Sequence, residues 1–488
     1  MRKLVGSSFL IGILLFLLTP ATGVCRISVT ELNCEYAENP FGIDTEHPRL
    51  SWTLTATERR QKQSAYRVLV ATSRARLTSD KVDVWDSGRV ESDASINVEY
   101  DGPALQARQR YYWKVRVWGR HGEPSAWSTP AWWEMGLLGS EGWKASWITD
   151  TRPNPDEEAG FYENDPAPLF RREFELQGDV ERARLYITGL GYYSARINGR
   201  GVGDAALMPG WTTYSERVLY NTYDVTSMLQ EGRNCIGATL GDGWYNPVPL
   251  KMWGWLNLRE FLTVGRPRLK AQLVIDYEDG STRRIATDDT WRVAPGPVSR
   301  NDIYLGEVYD ARREKEGWAR PGYDDDGWEH AEIAGEALGE LTPQKCPPVK
   351  VTETLHPVDI TEPEQGTYVF DFGQNFAGQV RLSVSGPAGT RVRLRYGELL
   401  HDDGTLNPMT SVAGQVKGPD VGGKGAPDVA VQGDTYILDG QGEETYRPRF
   451  AFRGFRYVEV TGLPEEPTLD TLEGLRLQSA VPSAGSFS

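Results

Sequence analysis

Between residues 110 and 119 the run "RYYWKVRVWG" alternates with period two, setting Tyr111, Trp113, Val115 and Val117 on one face and Tyr112, Lys114, Arg116 and Trp118 on the other. That period belongs to a strand with one face against a core, and the first set is the predicted core face. "AYRVLVATS" (65–73) and "SAWSTPAWWEMG" (125–136) read alike, so residues 26–138 are expected to form an antiparallel sandwich. From "WKASWIT" (143–149) to Pro343 the strands lengthen, as in "ARLYITGLGYYSARINGRGVG" (183–203). Asn198-Gly199, Asp279-Gly280 and Asp326-Gly327 supply turns that tolerate positive φ, and "KAQLVIDYEDGSTRRIATDDTW" reads directly as a hairpin. A third β segment, 349–480, opens with "TYVFDFGQNFAGQVRLSVSG" and closes with "PRFAFRGFRYVEVTG". Between them "NPMTSVAGQVKGPDVGGKGAPDVAVQGD" has no apolar period and is expected to be a long surface loop with a disordered tip. The best helical candidate, "DVTSMLQEG" (224–232), is short.

The length of 488 residues changes the picture from one domain to about three or four. The net charge of −15 comes without a basic stripe, which disfavours nucleic acid and anionic membranes as partners. Residues 1–23 read as a signal peptide: Arg2 and Lys3, an apolar run from Phe9 to Leu18, then Ala21-Thr22-Gly23 as a cleavage site. Its loss takes the charge to about −17, and no later run has the ~20 apolar residues of a membrane span. A secreted or periplasmic protein is expected. Cys25 invites a lipoprotein alternative, which Val24 in the preceding position disfavours. The remaining cysteines, Cys34, Cys235 and Cys346, lack zinc spacing; a Cys25–Cys34 bridge and plain thiols both stay open.

Hydrolytic chemistry is hard to find. The five histidines (47, 121, 330, 356, 401) have no helical metal-site partner, and no Gly-x-Ser-x-Gly elbow or phosphate loop occurs. Glu398 with Asp402 and Asp403 reads as a hairpin rim before it reads as a glycosidase pair, and Asp324–Asp326 as a solvated turn before a metal site. The aromatic load, 16 Trp and 22 Tyr, is more telling, because sugar C–H faces lie on such rings while their hydroxyls need amides and carboxylates. "GDGWYNPVPLKMWGWLN" (241–257) holds that inventory among chain-breakers. The candidate sugar-binding set is Asn198, Asp242, Tyr245, Asn246, Trp253 and Trp255, with Asn257 nearby. Trp244 follows a strand-like run and is expected in the core; Tyr245 and Trp253 are expected to face ligand.

The first segment resembles a fibronectin type III module. The order of that module, then "YITGLGYYSARINGRGVGDAALMPGWTTYSERV", "SRNDIYLGEVYDARREKEGW", "VFDFGQNFAGQVRLSVSGPAGTRVRLRYGELL" and "PRFAFRGFRYVEVTG", resembles the N-terminal half of bacterial α-L-rhamnosidases of glycoside hydrolase family 78. The resemblance implies an all-β chain of tandem sandwiches: fibronectin type III-like (26–138), jelly-roll and carbohydrate-binding-like (143–343), and concanavalin-like (349–480). It also implies that 481–488 leads toward an (α/α)6 barrel that carries the catalytic carboxylates and for which no segment here supplies helices, so no catalytic residue is assigned. A rhamnose-containing carbohydrate is the implied ligand and a barrel encoded downstream the implied partner. No cofactor is expected. Calcium, which accompanies rhamnose in the second β-domain of some members, stays open, because Gly191, Tyr192 and Tyr193 stand where an acidic pair would be. The alternatives are a glycosidase with its carboxylates in a β-domain, and an extracellular sugar-binding or adhesion protein without hydrolase activity.

Overall fold

The computed structural model describes residues 27–78, 82–337, 339–413, 418–419, 421–481 and 485. The expected signal peptide, Cys25, positions 414–417 and 420 of the expected loop, and most of the expected 481–488 linker lie outside the described residues. The chain is nearly all β, with 46% strand and 6% helix. Among the described residues the α-helix is Arg74–Thr78, and the helical candidate at 224–232 forms only the 3-10 turn Thr226–Met228. There Asp224 accepts from both the amide and the hydroxyl of Thr226, a local bond that competes with helix growth.

The chain divides into two compact units. The first comprises residues up to Pro40, Thr45–Leu105 and Gln109–Glu134. Its three-stranded sheet (Ile27–Cys34, Arg49–Ala56, Val98–Glu99) and four-stranded sheet (Trp85–Asp86, Ala65–Ala71, Arg110–Trp118, Ala131–Glu134) are both antiparallel. Tyr111, Trp113, Val115 and Val117 are buried, as their alternation requires. Lys114, on the opposite face, is buried too, because its ammonium donates to the Leu77 carbonyl and lies over the Trp127 ring. Trp52 meets Tyr66 of the other sheet edge-on at 5.4 Å, and Trp133 stacks on Tyr111 at 5.6 Å. Much of the aromatic load is therefore core.

The second unit runs from Met135 onward, with Phe41–Asp44 and Gln106–Arg108. Two sheets enclose its first core. One is ordered Glu332–Ile333, Ile148–Thr149, Arg268–Tyr277, Val180–Leu190, Arg217–Asp224, Glu340–Pro343; the other Arg200–Gly201, Tyr192–Ile197, Gly232–Gly241, Pro168–Leu176, Arg292–Pro295, Glu329–His330. Phe170, Leu185, Ile187, Ile236, Leu273 and Trp291 fill the space between them. The predicted hairpin is Arg268–Tyr277 with Thr282–Ala286, and Asn198-Gly199 closes Tyr192–Ile197 onto Arg200–Gly201 with both φ positive, at +52° and +81°.

A ten-stranded sheet, built on the long strand Thr367–Ser385, encloses the second core of Phe370, Phe376, Val380, Tyr396, Phe455 and Val458. Its edge departs from chain order. Val298–Asp302 and Gly306–Asp310, which the linear reading places inside the 143–343 domain, form a hairpin whose second strand pairs in parallel with Gly433–Ile437. The chain thus leaves the first sandwich, completes the second and returns. The 407–434 loop is also better anchored than its composition suggests, with Ala413 and Ala430 buried beside Val248, Leu250, Tyr304 and Leu305.

Gly306 makes the crossing hairpin possible. Its φ is +90°, and a Cβ there would stand 1.9 Å from the Gly433 carbonyl oxygen. Gly280 has a similar φ of +84° with nothing near its Cβ position. Gly280→Ala is expected to cost about 1–2 kcal/mol of left-handed strain, and Gly306→Ala at least about 1–3 kcal/mol more from the backbone clash. Denaturant melts giving equal losses for the two variants would contradict this account of the hairpin.

Candidate functional site

The segment 241–257 continues from the strand Gly232–Gly241 into a tight turn in which the Asp242 carbonyl accepts the amides of Tyr245 and Asn246, both at 3.1 Å. The Asp242 amide donates to Asn301 Oδ1 at 2.7 Å. Asp302 then holds both sides of the approach, accepting the Val248 amide at 3.0 Å and the Tyr304 and Leu305 amides at 2.8 and 3.0 Å. Asn246 is buried as a clamp: its Nδ2 donates to Asp242 at 3.0 Å and its Oδ1 accepts from Arg259 at 3.0 Å. The Arg259 guanidinium also donates to the Pro247 carbonyl and lies 4.2 Å over the Phe161 ring.

Burial pushes the Asp242 carboxyl up to about 8, against the Asn246 hydrogen bond and with help from the Asp165 charge. Burial likewise raises Asp302, although three backbone amides oppose it, and lowers Arg259. Asp242 is therefore recessed and mostly protonated at neutral pH.

The six sequence-predicted residues do not form one surface. Asn198 is a structural residue of its turn: it accepts the Cys235 amide and donates to the Met228 carbonyl and to Asn234, which spends its side chain. Tyr245, expected to face ligand, is buried, its ring edge-on to Tyr214 at 5.5 Å in a cluster with Trp147, Leu190 and Val218. Asn246 and Asp242 serve the turn. Asn257, also buried, accepts the Arg259 amide.

Trp253 and Trp255 differ. They sit at the tip of the hairpin Lys251–Met252 with Leu256–Asn257, and are 57% and 70% exposed. Trp253 has φ +54°, a left-handed conformation that costs a bulky side chain roughly 1–2 kcal/mol. Neither ring gains a core in exchange. Such an outlier on an exposed aromatic is where function is to be sought.

A second aromatic group was not legible as a site. Trp244, expected in the core, is only half-buried; its ring lies 5.4 Å from exposed Trp211 and 6.2 Å, edge-on, from Tyr304. The signal for Trp211 was its place in "PGWTTY", a large ring directly after two chain-breakers. The acidic run at 324–326 has a structural use, since Asp325 pairs with the buried Arg171. Glu398, Asp402 and Asp403 are exposed, Asp403 accepting from Thr405 within a turn. Among the described residues no three His, Cys, Asp or Glu side chains converge as a metal site.

Three family models match in sequence: the Rha78A-like N-terminal immunoglobulin domain at 29–139, the α-L-rhamnosidase N-terminal domain at 178–353 and the bacterial α-L-rhamnosidase concanavalin-like domain at 361–478. This chain belongs to the bacterial α-L-rhamnosidase family. An α-L-rhamnosidase of Formosa agariphila is 35% identical over 92% of the chain and 47% of its own length. The structure of the "Dictyoglumus thermophilum" α-L-rhamnosidase superposes with a TM-score of 0.82 at 38% identity, over 93% of this chain and 49% of that one. That of the Streptomyces avermitilis α-L-rhamnosidase complexed with L-rhamnose gives 0.83 at 32%, over 93% and 58%. The chain spans about half the length of these relatives, and no helical barrel lies among its described residues.

Two measurements check these side-chain placements. Tyr245→Ala is expected to cost roughly 2–5 kcal/mol, as for other emptied large core sites, whereas Trp255→Ala should stay within about 0.5 kcal/mol; equal thermal shifts would refute the assignment of one ring to the core and one to solvent. For Asp242 the raised folded-state pKa means that the folded chain binds more protons than the unfolded one between about 4 and about 8. Its contribution to stability is therefore lost as pH rises through that window, by up to about 1.4 kcal/mol per pH unit. Asp242→Asn should flatten that part of the stability curve, and parallel curves for variant and parent would show that the carboxyl is ionised throughout.

Proposed function

We propose that this chain is the carbohydrate-binding and scaffolding part of an exported α-L-rhamnosidase acting on rhamnosyl glycans, with hydrolysis carried out by a helical-barrel domain acting beside it. Three rhamnosidase β-domain models follow one another along the chain, and of the acidic group that the sequence offers for glycoside hydrolysis, Glu398, Asp402 and Asp403 are exposed and Asp403 is spent on a turn. The observation that carries the binding role is Trp253, a large aromatic held exposed in a strained backbone conformation beside exposed Trp255. Flat apolar rings of this kind suit the C–H face of a deoxy sugar such as rhamnose. The Streptomyces avermitilis relative is complexed with L-rhamnose, which makes that sugar the first ligand to test.

The purified chain is expected to leave an aryl rhamnoside uncleaved and to change its tryptophan emission on titration with L-rhamnose. The change should disappear in Trp253→Ala. Joining a barrel domain from a relative after the concanavalin-like domain should produce turnover. Turnover by the chain alone, after removal of contaminating enzymes, would overturn the division of labour, and unaltered emission and iodide quenching at millimolar rhamnose would overturn the platform. Binding that never leads to turnover in a folded fusion favours the adhesion alternative.

A further inference from the structure

A second set of groups stands apart from these aromatic residues, on the outer face of the six-stranded sheet. Gly201, Arg196, Gly237, Arg171 and Arg292 are successive cross-strand partners, so their side-chain positions form one row. The two glycines leave bare backbone on either side of Arg196. A Cβ at Gly237 would lie 2.5 Å from the Trp318 ring, so glycine is what lets that indole rest against the sheet.

Buried Arg171 fixes the segment that covers this row. Its Nε donates to the Trp318 carbonyl at 2.8 Å and its Nη2 to the Arg320 carbonyl at 3.3 Å, while Asp325 neutralises it. The Gly199 amide adds a bond to the Ala319 carbonyl at 2.9 Å. From the ten-stranded sheet comes Tyr309, and from the connection between its strands Glu443–Tyr446 and Arg453–Thr461 comes Arg449, whose guanidinium lies 5.7 Å over the Tyr309 ring. The Arg449 backbone amide is held by buried Glu307 at 3.0 Å.

These walls enclose a cleft of about 190 Å³ into which Arg196, Lys315, Arg320 and Arg449 all open. Two carboxylates also line it; Glu314 is engaged by the Tyr309 hydroxyl, and Glu316 is exposed. Among the described residues none of the four cations has a salt-bridge partner, in a chain where acids outnumber Lys and Arg by 68 to 53. The one side-chain hydrogen bond of Arg196 goes to the Gly199 carbonyl at 2.9 Å. Burial, and then the charge of Arg449, holds Arg196 below the usual guanidinium range, against the smaller opposing influence of Tyr309 and Glu314. Like charges held together by a fixed frame are costly, and an anion between them recovers that cost through charge-assisted hydrogen bonds.

We propose that this cleft binds the anionic substituent, carboxylate or sulfate, of an acidic saccharide, with Arg196 and Arg449 on the anion and the Trp318 indole beside the sugar ring. The inference rests on the reading that the chain handles glycans, and it extends that reading to charged ones at a separate place. Calorimetric titration of the full chain with D-glucuronate, D-glucose and inorganic sulfate tests it. Glucuronate should bind at least tenfold more tightly than glucose, and about 0.5 M salt should weaken it, as expected for an exposed ion pair. Arg449→Gln and Lys315→Gln should each lower glucuronate affinity severalfold, with thermal melts confirming that each is folded, and Arg449→Gln should leave the rhamnose fluorescence response intact. That last readout separates failure here from failure of the Trp253 platform. Glucuronate binding no tighter than glucose, or unchanged affinity in both folded variants, overturns the proposal. Binding of sulfate without glucuronate makes the cleft a free-anion site and overturns its saccharide part.

Discussion

Two buried carboxylates at the crossing hairpin hold the second unit together. Glu307 accepts the backbone amides of Arg449 and Phe450 and the hydroxyl of Tyr446, while its own amide donates to Asp434, which also accepts from Tyr396. Both carboxylates are almost wholly inaccessible, as is Arg453 beside them. Buried backbone N–H groups that lack partners are costly, so a carboxylate that satisfies two of them does work no apolar side chain could do. Burial, reinforced by the Asp434 charge, pushes Glu307 up to about 7. Packing two acids so closely is tolerated because the amides, hydroxyls and arginine around them absorb the charge.

Both candidate sites hang on this hairpin. Five residues before Glu307, Asp302 pins Val248 and so directs the chain toward the Lys251–Asn257 hairpin that carries Trp253 and Trp255. Glu307 pins Arg449 at the arginine-lined cleft. One excursion of the chain from the first sandwich into the second therefore sets the positions of an aromatic tip and a cationic wall that are far apart in sequence. Rigid elements thus position both candidate sites, with tight turns displaying them.

The pattern of rings follows the same logic. Trp133 and Tyr111 stack within the first unit, and Tyr309, Tyr436 and Tyr446 form a ladder in the second with centroid separations of 4.9 to 5.8 Å. These rings are structural, because they are packed into buried cores. Trp211, Trp253 and Trp255 remain exposed. The distinction between a ring that stabilises and a ring that binds lies in its surroundings, not in its chemistry.

What the amino-acid sequence determined by itself was everything that depends on near neighbours. Period-two alternation located the core face of Arg110–Trp118, Asn198-Gly199 located a turn, and the order of β motifs located the rhamnosidase family. What only the tertiary structure decided was which surfaces meet. Val298–Asp310 alternates like its neighbours, yet nothing local says that it pairs with a strand some 130 residues away. Tyr245 and Trp253 sit in one aromatic run, and the first is buried only because Tyr214 and Trp147 arrive from segments distant in sequence. Asn198 looks available for a sugar until Cys235 and Met228 take its amide. Arg196 and Arg449 are unremarked arginines until the fold faces them across one cleft. Burial and charge proximity are properties of pairs of segments, and the free energy that selects those pairs is gained only when the sheets close on one another.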